Sequence, residues 1–495
     1  MDNRFYFGFN TSEERKKRRK AELYSMSEQV STFFWDEAPQ HGLEMREGQQ
    51  DMSFEIVDAL INDQHFAIEA GVGIGKSFGY LVPVLLYSKR MNKPVIIATS
   101  TIALQEQLWR DVHAVMPLLG LNRDVILAKG QTHYLCNKRA DEYMCDPKAD
   151  PPDALKEGIK QGYEERKDFP EVLPQGVWDK VNVQRFSMKN CGSCEKKCKY
   201  YKVRAALKFT DGVVLCNQDF LTQHLMKLRR GQEGLINAAA DLLVVDEAHN
   251  LDDKVRSATT ERFGQGMLFG MIKSAFYELR SFDQSSVSGE KREAESAIIA
   301  FYNCLKAQVQ KQINEAEQDM RYADRFFFDN NGSAIELLTE MNAAIHNLSS
   351  SIQIYSSMDF RNNRSFAASD DLDAVSESLS ELLDQIDDML IWIEQHGSNT
   401  ELVYCPKNTK EIVSRLYFNG DERTILTSAT LTNATSGSLE EQYSYFISNT
   451  GFPAGDRGCL SEPKPSPYPY DEHAMIYYCD DLPHPTREHE AFIEK

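Results

Sequence analysis

An α/β fold on one parallel sheet, with helices on both faces, is what the sequence predicts for most of this chain, and three observations predict it. Short apolar runs at 94–98 (PVIIA), 212–215 (GVVL), 242–245 (LLVV) and 424–426 (TIL) are too short and too β-branched for helices, and each leads into small or polar residues. A glycine-lined stretch, AIEAGVGIGKSFGYLVP at 67–83, joins the strand-like Phe66-Ala67-Ile68 to an apolar helical run. Prolines punctuate the chain as far as Pro174 and are then absent until Pro406, a gap that favours long helices. Buried strands alternating with helices make a doubly wound sheet, whose ligand sits at the carboxyl ends of the strands.

With 495 residues, two to four domains are expected. Apolar residues at 42% and charged residues at 26% describe a globular chain, and no run approaches the ~18 apolar residues of a membrane span. The basic cluster ERKKRRK (14–20) is followed by AELYSMSEQV rather than an apolar stretch, so it is not a signal peptide; a solvated helix face is the plainer reading than a localisation signal. The formal charge of -20 excludes a generally basic coat, so a polyanion would have to meet local tracks such as Lys196, Lys197, Lys199, Lys202, Arg204 and Lys208, or Lys227, Arg229 and Arg230. Ten cysteines without a secretory signal point to a reducing cytoplasm, where clustered cysteines are more often metal ligands than disulfides.

Within the proline-free gap, 370–396 carries Leu372, Val375, Leu379, Leu382, Leu383, Ile386, Met389, Leu390 and Ile393 at helical spacing and ends before Gly397. A second helix is expected over about 291–318, with Ala294, Ile298, Phe301, Leu305 and Val309 on one face. Residues 255–400 therefore read as a largely helical module.

The chemistry lies outside it. Ala70, Gly71, Val72, Gly73, Ile74, Gly75, Lys76 and Ser77 fit a P-loop with Ala in the first glycine position. Small residues let successive backbone N–H groups wrap a phosphate, Lys76 reaches the outer phosphates, and Ser77 ligates Mg²⁺. LLVVDEAH (242–249) is an apolar strand ending in paired carboxylates, of which Asp246 would hold the metal and Glu247 would polarise the attacking water.

Cys191, Cys194 and Cys198 form a C-x₂-C-x₃-C cluster, and Cys136 lies 55 residues upstream as a fourth thiolate. Three close ligands and one distant are compatible with a 4Fe–4S cluster, while structural zinc draws two short-spaced pairs; spacing alone leaves both open.

VVDEAHN (244–250), EAGVGIGKS (69–77), ATSTIALQEQL (98–108) and ILTSATLT (425–432) together resemble the DEAH-type superfamily 2 helicases, and more narrowly the DinG branch of the XPD-like iron–sulfur helicases. Arg46, Gln49 and Met52 fall where that family reads the adenine, AKGQTHYLC (128–136) is similar to its AKGRxNYLC segment, and CNQDFL (216–221) is similar to its TNHxLL. Val72 and Ile74 replace threonines usual in the family loop, which works mainly through backbone N–H groups.

The resemblance implies a RecA-like motor domain that binds ATP and Mg²⁺, with catalytic Lys76, Asp246, Glu247 and His249, a base site at Arg46 and Gln49, and a 4Fe–4S cluster on Cys136, Cys191, Cys194 and Cys198. The cysteine spacing is tighter than the family's, which leaves Cys145 as a substitute ligand. Thr427-Ser428-Ala429-Thr430 is similar to the family's third motif, whose hydroxyls link nucleotide state to DNA contact. The implied activity is ATP-driven, 5′→3′ unwinding from single-stranded DNA and single–double-strand junctions, by a monomer; the competing class is a nucleotide-switched DNA-binding scaffold.

Some 170 residues separate Lys76 from Asp246 and 179 separate His249 from Ser428, so two insertions must interrupt one sheet. The expected layout is an extension (1–40), a motor domain in three parts (41–115, 206–254, 401–485), a cysteine domain (116–205), a helical arch (255–400), and the start of a second motor domain (486–495). No Gln-x-x-Gly-Arg-x-x-Arg segment is present, so these residues alone are expected to hydrolyse ATP poorly. About 45 residues precede Arg46, too few for the nuclease domain that some relatives carry there.

Overall fold

The structure, a computed structural model, describes residues 12–44, 46–170, 172–184, 186–279, 284–315, 324–358 and 367–468, and beyond these 472, 475, 479, 482–485 and 489–494. Seven parallel strands form the main sheet: β1 (His65–Glu69), β2 (Val95–Thr99), β3 (Val125–Leu127), β4 (Val213–Asn217), β5 (Leu242–Asp246), β10 (Arg423–Ser428) and β11 (Gly458–Leu460), in the order β11-β1-β10-β5-β2-β4-β3. Alternate side chains divide between two cores, as a two-residue period demands. Phe66, Ile68, Val95, Ile97, Val213, Leu215, Leu242, Val244 and Ile425 pack on one face with helices that include Glu47–Ile61, Lys76–Met91 and Ile102–Leu118. Ala67, Ile96, Ala98, Val214, Cys216, Leu243, Val245 and Leu426 pack on the other with Gln218–Arg229, Leu251–Ala258 and Lys410–Tyr417. Both faces are thus covered, which is why these strands read as continuous apolar runs.

Two stretches of chain leave the sheet and return. Between β3 and β4, small apolar clusters form around Trp178 with Leu135, Leu155 and Phe169, and around Tyr134 with Val183, Cys198 and Tyr200. Between β5 and β10 lies a separate core of long helices, Ser288–Glu315, Gly332–Met358 and Ala367–Asp384. This second module departs from the largely helical one expected over 255–400. It carries an antiparallel sheet of β6 (Glu261–Gly264), β7 (Arg325–Phe327), β8 (Met389–His396) and β9 (Asn399–Pro406), in the order β6-β9-β8-β7.

The helix expected over 370–396 ends at Asp384, and its remainder is β8, paired with β9 from Met389↔Pro406 to His396↔Asn399. Met389, Leu390 and Ile393 fit a helical period, but Ile391, Trp392 and Ile393 favour a strand, and Gly397 at φ 61° opens a two-residue hairpin turn. Partner strand, not local period, decided the outcome. The helix expected over 291–318 spans Ser288–Glu315, and residues 316–318 lie outside the described residues, as do 486–488 and 495 of the expected second motor domain. Among the described residues no helix is long and apolar enough to cross a membrane.

Two buried histidines tie distant backbone segments together in the neutral form. Nδ1 of His65 accepts the Thr424 N–H at 3.0 Å, with Nε2 3.2 Å from the Phe418 carbonyl, and Nδ1 of His224 accepts N–H groups of Leu235 at 2.9 Å and Ile236 at 3.2 Å. A proton on either Nδ1 would oppose an N–H. Burial, and then nearby arginines, push both rings down to about 4. The unfolded chain therefore binds more protons between pH 6.5 and 4, so stability is full above this window and is lost as pH falls through it. The urea midpoint should drop from pH 7 to pH 5, by about 2 kcal/mol in unfolding free energy for each ring at the lower pH; equal midpoints would contradict the neutral assignment.

Candidate nucleotide site

Strand register builds the site. β1 pairs with β10 (Ile68↔Thr427, Glu69↔Ser428) and β10 pairs with β5 (Thr427↔Asp246), so the three carboxyl ends finish level. From β1 the chain enters the glycine loop, where Gly73 and Gly75 take φ 90° and 87°, values open to glycine at little cost. Gly75 caps the helix Lys76–Met91, whose N-terminus faces the loop. From β5 the chain turns at Glu247, which holds a left-handed conformation at φ 57° and ψ 46°. Strain of this kind in a non-glycine residue persists where surroundings impose it. Here Gln218 imposes it, its Nε2 donating to the carbonyls of Asp246 at 2.7 Å and Glu247 at 3.1 Å.

The sequence-predicted residues converge. Lys76 Nζ lies 3.3 Å from Glu247 Oε1, while Ser428 Oγ donates to Glu247 Oε2 at 3.3 Å. His249 Nδ1 sits 2.6 Å from the same Ser428 hydroxyl and 3.3 Å from Glu247 Oε2. The Tyr80 hydroxyl, one helical turn beyond Lys76, lies 3.4 Å from Asp246 Oδ2 and also bonds to Ser77. One phenol thus touches both residues expected to hold a divalent cation, and the oxygen donors suit magnesium. Burial, and next the charge of Glu247, pushes the Asp246 carboxyl up to about 6. Burial also raises Asp111, which hydrogen-bonds Ser77.

Arg46 and Gln49 line a cavity of about 270 Å³ with Phe33, Phe78, Ile74 and Gly75, and Gln49 Nε2 donates to the Gly75 carbonyl at 2.9 Å. Ala70 and Gly71 begin the loop, and Val72 is exposed. Met52 is wholly buried beneath Gly79, so it packs the loop helix from below.

Sequence reasoning missed Glu69. Its carboxylate accepts the N–H groups of Leu431 and Thr432, both at 2.6 Å, and the Thr432 hydroxyl at 2.9 Å, which ties the start of the phosphate loop to the end of β10. Nothing local signals this, because the partners lie some 360 residues away. Tyr80 was findable, since i+4 from Lys76 shares its helix face.

The cysteines occupy one lobe. Cys136 and Cys198 share an apolar cluster, and burial, followed by the nearby Cys136 and Cys191, pushes the Cys198 thiol up. Cys194 follows Cys191 through a turn closed at 3.2 Å. Cys145 is exposed and lies within electrostatic reach of Lys196. Among the described residues, no three His, Cys, Asp or Glu side chains are gathered at metal-holding distance. The donor set has the chemistry of a thiolate cluster, but its sulfurs are not drawn into one shell.

The basic track is largely neutralised within the chain. Lys196 pairs with Asp141 at 2.6 Å, Lys199 with Glu165 at 2.7 Å, Lys202 with Glu164 at 3.9 Å and Lys208 with Glu233 at 2.5 Å, while Arg229 pairs with Glu422. Buried Lys129 joins Glu106 (2.8 Å) on the helix Ile102–Leu118 to Glu165 (3.0 Å) in the cysteine lobe, so the lobe is clamped to the sheet beside Cys198.

A glycine loop and an acidic strand end facing each other across level parallel strands give the arrangement of a P-loop α/β domain. The DEAD_2 family model matches residues 132–266. The chain is 24% identical over 479 residues to the probable ATP-dependent helicase YpvA of Bacillus subtilis, covering 90% of this chain and 69% of that protein. It is 26% identical over 496 residues to the 3′-5′ exonuclease DinG of the same organism, covering 88% and 50%. With the ATP-dependent DNA helicase YoaA of Escherichia coli it shares 30% over 240 residues, 46% of this chain and 36% of that one. The solved structure of S. tokodaii Xpd4 aligns at a TM-score of 0.38 and 15% identity, over 84% of this chain and 61% of its own. The chain is thus similar to helicases of the DinG type over part of their length, spanning 69% of YpvA, 50% of the Bacillus subtilis DinG and 61% of the solved structure.

Proposed function

We propose that the chain carries the nucleotide-binding motor domain of an ATP-dependent DNA helicase, coupling ATP hydrolysis to 5′→3′ movement on single-stranded DNA and unwinding at single–double-strand junctions. The observation that carries this reading is the convergence of Lys76, Tyr80, Asp246, Glu247, His249 and Ser428 at the carboxyl ends of the central strands, with distances of 2.6 to 3.4 Å between interacting groups. Loop N–H groups and the helix N-terminus receive the phosphates, and the cavity beside Arg46 and Gln49 receives the base. Ser77 and Asp246 would hold a magnesium ion, which supplies charge neutralisation on the triphosphate.

Lys76 exchanges its contact with Glu247 for the outer phosphates, which frees the Glu247 carboxylate to orient water and take its proton as the bond to the leaving ADP breaks. Ser428 and His249 sit on that carboxylate and on the end of β10, so they feel its change of partner. DNA is met by local groups rather than a basic coat, in keeping with a charge of -20. The layout of three motor segments, cysteine domain and arch given above, together with a cytoplasmic monomer, completes the reading.

Cys136, Cys191, Cys194 and Cys198 would hold a 4Fe–4S cluster, with Cys145 as the substitute ligand; such a cluster supplies a covalent brace to a lobe whose apolar core is small. Anaerobic purification should return about four irons and matching sulfide per chain; stoichiometric zinc would overturn the assignment.

In the full-length protein, Glu247→Gln should retain Mg·ATP binding and lose hydrolysis by roughly 10²–10⁴-fold, with cellular activity lost alongside. A scaffold would keep its cellular activity in that variant, and this outcome would remove the motor reading.

A further inference from the structure

Beyond β11, a short strap of chain folds back over the phosphate loop. The Lys464 N–H donates to the Glu69 carbonyl at 2.9 Å, and the Gly71 N–H donates to the Lys464 carbonyl at 2.9 Å, so the strap adds a rung where β1 becomes the loop. Lys464 Nζ is anchored 2.8 Å from Glu55 on the helix Glu47–Ile61, the helix that carries Gln49. Ser466 Oγ donates to the Val72 carbonyl at 2.7 Å, and the Tyr468 N–H donates back to Ser466 Oγ at 3.2 Å.

Two loop glycines have a second purpose here. A Cβ on Gly71 would overlap the Ser466 backbone, and one on Gly73, already at φ 90°, would overlap the Tyr468 ring. The same ring also meets Arg46, whose guanidinium carbon lies 5.9 Å from the ring centroid. Arg46 also lines the 270 Å³ cavity beside Gln49, Phe33 and Phe78. That volume is below the roughly 300–1,000 Å³ of a pocket for a whole ligand and suits a single base. Tyr468 is 49% exposed, so it is not there to fill the core.

We propose that Tyr468 is a nucleotide-positioning residue: its ring backs the Arg46 guanidinium at the rim of the base cavity, while the backbone of the 464–468 strap and Ser466 hold the first half of the phosphate loop. The inference rests on the nucleotide reading above and adds a residue from far along the chain to it. The guanidinium held within 5.9 Å of the phenol ring is restrained before a ligand arrives, which lowers the cost of presenting it to a bound base and ribose. Because the strap's hydrogen bonds to the loop are made by backbone and by Ser466, the tyrosine ring is charged with the base end alone.

The test titrates the full chain with Mg·ATP and separately with Mg·tripolyphosphate, which has the phosphates but no base. Tyr468→Ala should weaken ATP roughly five- to tenfold and leave tripolyphosphate unchanged, with Tyr468→Phe recovering the ATP affinity. ATP binding by Tyr468→Ala as tight as in the parent, or tighter, would overturn the proposal, the tighter case marking the strap as a plug. A parallel loss of tripolyphosphate would overturn it too, because the ring would then serve the loop rather than the base. A folded parent chain that binds neither ligand would overturn the nucleotide reading itself, an outcome distinct from the others.

Discussion

Everything at the candidate site depends on three parallel strands ending level. β1, β10 and β5 are neighbours in the sheet, and their register puts Glu69 beside Ser428 and Thr427 beside Asp246. A slip of one residue in β10 would turn Thr427 and Ser428 to opposite faces, and the contacts of Ser428 with Glu247 and His249 would be lost. Burial on both faces fixes the register, since each strand's alternate side chains fill different cores. The geometry of the candidate site is therefore inherited from hydrophobic packing, and the long excursions between strands do not disturb it.

On that frame, opposite charges are set close together in a partly buried space. Lys76 and Glu247 are each less than a quarter exposed, with side-chain exposures of 16% and 24%, and Glu247 is kept in place by the left-handed turn that Gln218 stabilises. Glu69 performs the matching task on the other strand, where its carboxylate gathers three donors from the turn after β10. The phosphate loop is thus fastened on two sides, by Glu69 to β10 and by the 464–468 strap to its own first residues. Charge-assisted hydrogen bonds of this kind are stronger than neutral ones, and they suit a loop that must keep its N–H groups pointed at an anion.

Legibility in the sequence followed the range of the interactions. The phosphate loop and the acidic strand end could be read because each is a local device: glycines for the turn, a lysine and serine opening the helix, and carboxylates after an apolar run. Their meeting was inferred from chemistry and is visible in the 3.3 Å contact of Lys76 with Glu247. The antiparallel sheet of the second module was not legible, because Met389–His396 becomes a strand only through pairing with Asn399–Pro406. Glu69 and Tyr468 escaped for the same reason, their partners lying hundreds of residues away. The lysines around Cys198 were legible as a basic track, yet the acids that pair with Lys196, Lys199, Lys202 and Lys208, namely Asp141, Glu165, Glu164 and Glu233, come from elsewhere in the sequence.

The central claim, that the loop and the acidic strand end surround one metal-bound triphosphate, is most directly tested by replacing magnesium with manganese and recording the electron paramagnetic resonance of the chain with ATP. The account predicts a protein-bound manganese signal with phosphorus coupling that appears only with nucleotide and is lost in Asp246→Asn. A nucleotide-dependent signal that persists unchanged in Asp246→Asn would contradict it.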